Sequence, residues 1–247
     1  GHREVILTGI HLGHWGLEWT DCRLRLPDLV EELLAIDGQW RLRLSSLEAV
    51  EVDARLLSLM AAHPDRICPH LHLSMQSGSD TVLERMQRRW ASTRFVEKCL
   101  EAKEALDTPA IIVGFPGETD AEFEESCDVV ETIGFSKVHI FRFSPRDGTP
   151  AATMRDQIDG RVKQQRAAQL DTLSQGLRRD FFTALVGRRL QVLVESADDA
   201  QPGLLHGTSA RYAPVELAGT IDKVGKLVEA EATELVNDVV AATLVNS

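Results

Sequence analysis

Five short stretches combine hydroxyls, amides, carboxylates and glycines in a way suited to a polar ligand. They are Thr8-Gly9-Ile10-His11, Ser45-Ser46-Leu47-Glu48, Gln76-Ser77-Gly78-Ser79, Gly114-Phe115-Pro116-Gly117-Glu118 and Ser144-Pro145-Arg146-Asp147-Gly148-Thr149. Each follows a run with strand character, and α/β folds bind ligands at the carboxyl ends of their strands. Donors, acceptors and backbone N–H groups gathered at one rim suit a nucleoside or a similar multi-part molecule. The fourth stretch is the most informative. Ile111-Ile112-Val113 suits a strand covered on both faces, while Gly114 and Gly117 let the backbone turn tightly and approach a ligand. Thr119-Asp120-Ala121-Glu122 is then a capping box for the next helix. Taken alone, that turn would read the same in a well-made loop without a ligand.

In Cys68-Pro69-His70-Leu71-His72 the residues at 68, 70 and 72 would share one face of a strand, so a metal site is geometrically possible. A fourth ligand is not evident nearby, and no metal site is assigned to the chain. His70 and His72 are expected instead to project into a barrel and hydrogen-bond a neighbour or a substrate. The clusters Arg85-Arg88-Arg89, Arg161-Lys163-Arg166, Arg178-Arg179 and Arg188-Arg189 stand against an acidic background. Such clusters are ordinarily solvated helix faces or salt bridges. Their functional reading is contact with the phosphates of a folded RNA.

Strand-like runs that would position these residues lie at Glu4 to Thr8, Arg41 to Ser45, His70 to Ser74, Ala110 to Gly114 and Lys137 to Phe143. Helical patterns fall between them, near Leu26 to Ile36, Val52 to His63, Asp80 to Trp90, Thr93 to Leu106 and Asp120 to Ile133. Alternating strands and helices predict parallel βαβ units with right-handed crossovers. Five such units make an open or partial (β/α) barrel over residues 1–158. One long helix is expected over 159–187, ended by Gly187. From 188 to 247 a β-branched run and the punctuation of Gly203, Gly207, Pro214, Gly219 and Gly225 predict a small all-β barrel of the oligonucleotide-binding type.

The 247 residues suffice for one large domain and one small one, and 43% are hydrophobic. Acidic residues outnumber basic ones, 38 to 27, for a net charge of −11, which argues against a protein that simply coats nucleic acid. No apolar run is long enough to span a bilayer and no secretory signal opens the chain, so a cytoplasmic, membrane-free protein is expected. Cys22, Cys68, Cys99 and Cys127 show no paired spacing and read as thiols in a reducing compartment. The opening Gly1-His2-Arg3 enters a strand at once, which suggests a fragment.

HLHLSMQSGSDTVLERMQRRW, IIVGFPGETDAEFEES and GFSKVHIFRFSPRDGTPAATM resemble successive motifs of the radical S-adenosylmethionine methylthiotransferases, and VILTGIHLGHWG and RLRLSSLEAVEV fit the same family in the same order. CPHLH and SPRDGTPA are most similar to the branch acting on threonylcarbamoyladenosine beside the tRNA anticodon. The final 60 or so residues resemble the family's RNA-binding TRAM domain. The resemblance implies a reaction that installs a methylthio group at an unactivated C–H position. One 4Fe-4S cluster would cleave S-adenosylmethionine to a deoxyadenosyl radical, a second would supply sulfur, and a further S-adenosylmethionine the methyl. It implies tRNA as substrate and an electron donor such as flavodoxin or ferredoxin.

By the same resemblance Thr8 and Gly9 approach the cofactor's amino acid moiety, Ser45, Ser46 and Glu48 its ribose and carboxylate, and Gln76 and Ser77 extend the rim. Gly114 and Phe115 belong to the turn packing on the adenine, with Val138 to Phe141 lining its other side. His70, His72, Arg146, Arg188, Arg189 and Tyr212 are carried over as substrate or RNA contacts, and no catalytic base is assigned. Three features depart from the family. The CxxxCxxC motif and the domain for the auxiliary cluster are expected upstream of Gly1, leaving this chain alone inactive and iron-free. The join Leu106 to Ile111 is short, and Ala49 stands where Pro is usual. The alternatives are an enzyme methylthiolating an aspartate of a ribosomal protein and a non-catalytic RNA-binding protein.

Overall fold

Alternation of apolar and polar residues sets most of the secondary structure. The computed structural model describes residues 1–88, 90–102 and 106–245, with 106–110 described by backbone alone; Arg89 of the first basic cluster lies outside them. The strands are β1 (Glu4–Leu7), β2 (Arg41–Leu44), β3 (Ser46–Leu47), β4 (Leu71–Gln76), β5 (Leu106–Val113), β6 (His139–Arg142), β7 (Arg189–Ala197), β8 (Leu204–Ser209), β9 (Pro214–Ala218), β10 (Leu227–Val236) and β11 (Val239–Leu244). The helices are α1 (Leu26–Leu34), α2 (Ala54–Ala62), α3 (Asp80–Arg85), α4 (Ser92–Glu101), α5 (Asp120–Ile133), α6 (Pro150–Thr153) and α7 (Gly160–Thr183). They fall into two compact units, one of residues 1–47, 51–71 and 179–247, the other of 48–50 and 72–178.

In the first unit β1 and β2 pair in parallel, Glu4 opposite Arg41 and Leu7 opposite Leu44, with α1 as the crossover. Pro27 in the first turn and the Asp28 carboxylate, which accepts the Arg25 N–H at 2.6 Å, start α1. Asp53 caps α2 by accepting the Leu56 N–H at 2.8 Å. Strands β7 to β11 close a barrel in the order β10-β11-β9-β8-β7, antiparallel except where β9 meets β11. Its core is Val192, Val194, Leu205, Val215, Leu217, Ala230 and Val240, with Phe182 and Leu185 packed against them. Gly207 is obligatory there, because a Cβ would lie 2.3 Å from the Leu193 carbonyl oxygen on the neighbouring strand.

Two buried arginines join β2 to that barrel. Arg41 (1% exposed) donates to the carbonyls of Gln191 and Thr208 at 2.8 and 2.9 Å, and Arg43 (2% exposed) to those of Ala210 and Ser209 at 3.2 Å each. Both also bind the Glu4 carboxylate, Arg41 Nε at 2.6 Å and Arg43 Nε at 3.0 Å. The sequence reading gave these arginines no role.

The second unit places β4, β5 and β6 side by side, with β5 and β6 parallel. Leu73 and Met75 of β4 and Ile111 and Val113 of β5 are buried on one face, as are Phe95 and Cys99 of α4 and Phe123 and Val130 of α5. The capping box is formed as its spacing predicts: the Thr119 hydroxyl accepts the Glu122 N–H at 3.2 Å, and the Glu122 carboxylate accepts the Thr119 N–H at 2.7 Å.

Two expectations need correction. The helix expected over Thr93 to Leu106 ends at Glu101, with 103–105 outside the described residues, and Leu106 already belongs to β5. Asp107, Thr108 and Pro109 read as loop because Asp and Pro are depleted in strands. The ladder described between β5 and β6 runs from Ala110 opposite His139 to Val113 opposite Arg142. The five expected strands are also not hydrogen-bonded as one sheet: β1 and β2 form a two-stranded sheet, and β3, β4, β5 and β6 a four-stranded one.

Candidate functional site

In β4 every second residue is half-buried: His72, Ser74 and, at the strand end, Gln76. Register pairs Ile112 with Phe141 and Ala110 with His139 across β5 and β6. The rings of His72 and His139 meet edge to face at 5.1 Å, which puts the half-buried residues of β4 on the same side of the sheet as His139 and Phe141. That side therefore presents His72, Ser74, Gln76, Ile112, His139 and Phe141, while the opposite side of β4 and β5 is core. Phe141 is 56% exposed, high for an aromatic on a strand. An exposed ring beside amide, hydroxyl and imidazole groups is suited to stacking and hydrogen-bonding a heteroaromatic ligand. His72, Gln76 and Phe141 were named from the sequence. Ser74 and Ile112 were missed, and His139 was included only within the segment Val138 to Phe141, although the alternation of HLHLSMQ and KVHIFRF marks their faces.

The turn after β5 is held from within. Gly114 and Gly117 have φ of +73° and +76°. The Gly114 N–H donates to Glu118 Oε2 at 2.7 Å, and Arg166 Nη1 of α7 donates to the same oxygen at 2.6 Å. Arg166 Nη2 reaches Asp120 at 2.7 Å. Burial pushes the Glu118 carboxyl above its ordinary value, against the pull of the Gly114 amide and the guanidinium. Phe115 is buried against Phe143, ring centroids 5.2 Å apart. A Cβ on Gly114 would come within 2.4 Å of Lys163 Cγ. Gly114→Val combines that overlap with a left-handed backbone costing about 1–2 kcal/mol, and we expect a loss of at least that size in urea unfolding. An unchanged midpoint would show that the turn is not constrained in this way.

Other expected contacts are engaged inside this unit. The buried Ser77 hydroxyl lies 3.2 Å from Ser126 Oγ and accepts the Ser79 N–H at 3.2 Å. The Val138 N–H donates to Ser174 Oγ at 3.0 Å. Glu48 pairs with Arg88 at 2.9 Å, and Arg85 pairs with Glu122 at 2.8 Å. Desolvation raises Glu122, but hydrogen bonds from Arg85, Thr81 and Thr119 outweigh it and hold the carboxyl at about 2. Arg146 is exposed.

In the first unit Thr8 and Gly9 are exposed, and the Ser45 N–H donates to the Leu7 carbonyl at 2.9 Å, so Thr8 and Ser45 leave adjacent strands together. Ser46 follows at half burial. His70 is buried and stacked on Tyr212 at 4.9 Å, with Arg43 on that ring at 4.6 Å. Tyr212 remains 48% exposed. Arg188 and Arg189 are exposed at the start of the barrel.

Iron–sulfur clusters do not fit the cysteines present. All four are free thiols, and no three of them come together. Burial pushes Cys68 up to about 11, Cys99 to about 12 and Cys127 to about 11, whereas a cluster ligand must be a thiolate. The exposed Phe141 beside the polar groups of β4 and β6 has the chemistry that a nucleoside would call on. Among the described residues, no helix is long and apolar enough to cross a membrane.

Residues 7–130 match the radical SAM superfamily. The threonylcarbamoyladenosine tRNA methylthiotransferase MtaB of Bacillus subtilis is 36% identical over 236 residues, covering 93% of this chain and 52% of that protein. MtaB of Thermotoga maritima is 36% identical over 231 residues, covering 92% of this chain and 51% of its own. The tRNA-2-methylthio-N(6)-dimethylallyladenosine synthase of Oceanobacillus iheyensis is 33% identical over 238 residues, covering 95% and 46%. The chain thus spans about half the length of these curated relatives.

Proposed function

We propose, on the premise that this chain belongs to the radical SAM superfamily, that it is part of a tRNA methylthiotransferase modifying threonylcarbamoyladenosine next to the anticodon. The observation that carries this reading is the similarity, over nearly the whole chain, to methylthiotransferases named for that nucleoside. In this reading residues 1–158 are a partial (β/α) barrel and 159–187 a connecting helix. Residues 188–247 are then a TRAM-like barrel that holds the tRNA through Arg188, Arg189 and Tyr212. Such closed five-stranded barrels commonly bind oligonucleotides, and exposed arginines supply the phosphate contacts.

S-adenosylmethionine, when bound, supplies the hydrogen-abstracting and methyl-donating chemistry. The chain's own residues bind and orient it. Phe141 and Ile112 are assigned as an apolar bed for an adenine ring, and the Gln76 amide as a partner for its polar edge or the ribose. Glu48 of the same unit is assigned to a further polar group of the cofactor. Gly114, Phe115, Ser77 and Val138 act by shaping the strand ends, since their hydrogen bonds or packing lie within the fold. His72, His139 and Arg146 are assigned to the modified base of the tRNA. The reading also entails two 4Fe-4S clusters held by residues other than these, a donor such as flavodoxin or ferredoxin, and a cytoplasmic, membrane-free setting.

The test is cofactor binding by Phe141→Ala and Gln76→Ala. Both side chains lie on the uncovered face, so neither change opens a core cavity. We expect each to weaken S-adenosylmethionine binding about tenfold, or ~1.4 kcal/mol, with unfolding midpoints preserved. Wild-type affinity in both variants would place the cofactor elsewhere.

A further inference from the structure

Three residues of the first unit that the reaction above does not use, two following β1 and one following β3, come together. His11, His14 and Glu51 each bring one potential ligand atom, all within 4.8 Å of one another. His14 Nε2 lies 3.3 Å from Glu51 Oε1. The rings of His11 and His14 stack with centroids 4.8 Å apart and planes 16° from parallel. We propose that these residues form a site for a divalent cation of the zinc class.

The local backbone accounts for the convergence. Leu12–His14 is a single 3-10 turn begun by His11, and in such a turn residues three apart eclipse on one side. Gly13, between the histidines, leaves the space that Glu51 occupies: a Cβ there would fall 2.4 Å from Glu51 Cβ and Cδ. A side chain at that position would force Glu51 to shift. The Glu51 side chain is only 6% exposed, whereas that of His14 is 55% exposed, so the cluster has a fixed carboxylate floor and two adjustable imidazole walls.

The chemistry fits one class of ion. Two imidazoles and one carboxylate suit borderline metals better than hard calcium or magnesium, which prefer oxygen alone. Metal–donor bonds of about 2.1 Å in a tetrahedron set donors about 3.4 Å apart, close to the separation of His14 and Glu51. The exposed His11 ring needs only a side-chain rotation to complete the set. Three protein donors leave one position open to water or an anionic group. Cys68, Cys99 and Cys127, held as thiols by burial, are poor competitors for the ion. This site does not depend on the proposed methylthiotransferase reading.

The test is metal titration of the chelator-stripped chain, with Zn²⁺ by calorimetry and Co²⁺ as a visible-spectrum probe. We expect one saturable zinc ion per chain and a cobalt band of low-symmetry coordination. His11→Ala and His14→Ala should each weaken binding at least about tenfold, since even outer-shell partners of metal ligands cost that much. Both positions are exposed, so the variants should keep the fold, as circular dichroism would verify. Glu51→Gln should lose the cobalt band, and Cys22→Ser should leave affinity and spectrum unchanged. Absence of saturable zinc binding, or wild-type affinity in both histidine variants, would overturn the proposal and leave a plain His14–Glu51 ion pair.

Discussion

Replacing Glu4 by Ala is expected to destabilise the chain by about 3–5 kcal/mol, the usual consequence of removing one partner from a buried ion pair. Glu4 gives one carboxylate to both Arg41 and Arg43, whose guanidinium groups are almost fully buried among the carbonyls of Gln191, Thr208, Ser209 and Ala210. Without the carboxylate, two positive charges stay out of water with only neutral acceptors. Glu4→Gln, which keeps the shape and one acceptor, should lose less. Burial pushes the Glu4 carboxyl up, but hydrogen bonds and charges from Arg43 and Arg41 outweigh that and hold it below the ordinary 4.5. Its contribution is therefore present above 4.5 and disappears as pH falls through the lowered value. Wild type and Glu4→Ala should converge in acid. A loss under about 1 kcal/mol at neutral pH, typical of a surface pair, would show that the arginines reach water.

Arg166→Ala is expected to cost about 3 kcal/mol or more on the same physical ground, and to loosen the turn from Gly114 to Glu118. Arg166 holds the Glu118 carboxylate that in turn accepts the Gly114 amide, and its other nitrogen ties Asp120 at the start of α5. Arg166→Lys should recover only part, because a single ammonium cannot serve Glu118 and Asp120 in one fork. The pH dependence runs opposite to that of Glu4. Glu118 is raised by burial, so its contribution is fully present below 4.5 and declines as pH rises through the raised value. Removing the guanidinium should steepen that decline, and acid should partly rescue the variant. Equal deficits at every pH would mean Glu118 is not the group affected.

What the sequence made legible is what acts over a few residues. The capping box of Thr119 and Glu122 is written in a spacing of three, and the faces of β4 in the alternation of HLHLSMQ. The barrel followed from a β-branched run and well-placed glycines. Long-range pairing was hidden: Glu4 is 37 and 39 positions from its arginines, those arginines are 150 or more from their carbonyl partners, and Glu118 is 48 from Arg166. The candidate face suffered likewise, since His72 and His139 meet only through the strand order. The polar groups of Ser77, Gly114 and Val138 read as ligand contacts because their partners Ser126, Glu118 and Ser174 could not be matched to them from sequence.

The most direct measurement is mass spectrometry of nucleosides from total tRNA in a strain lacking the gene, with and without complementation. Loss of the methylthio group from threonylcarbamoyladenosine, restored by the intact gene but not by one carrying Phe141→Ala and Gln76→Ala together, is the predicted result. Unchanged methylthiolation of that nucleoside in the deletion strain would contradict the account, most plainly if a ribosomal protein had lost the modification instead.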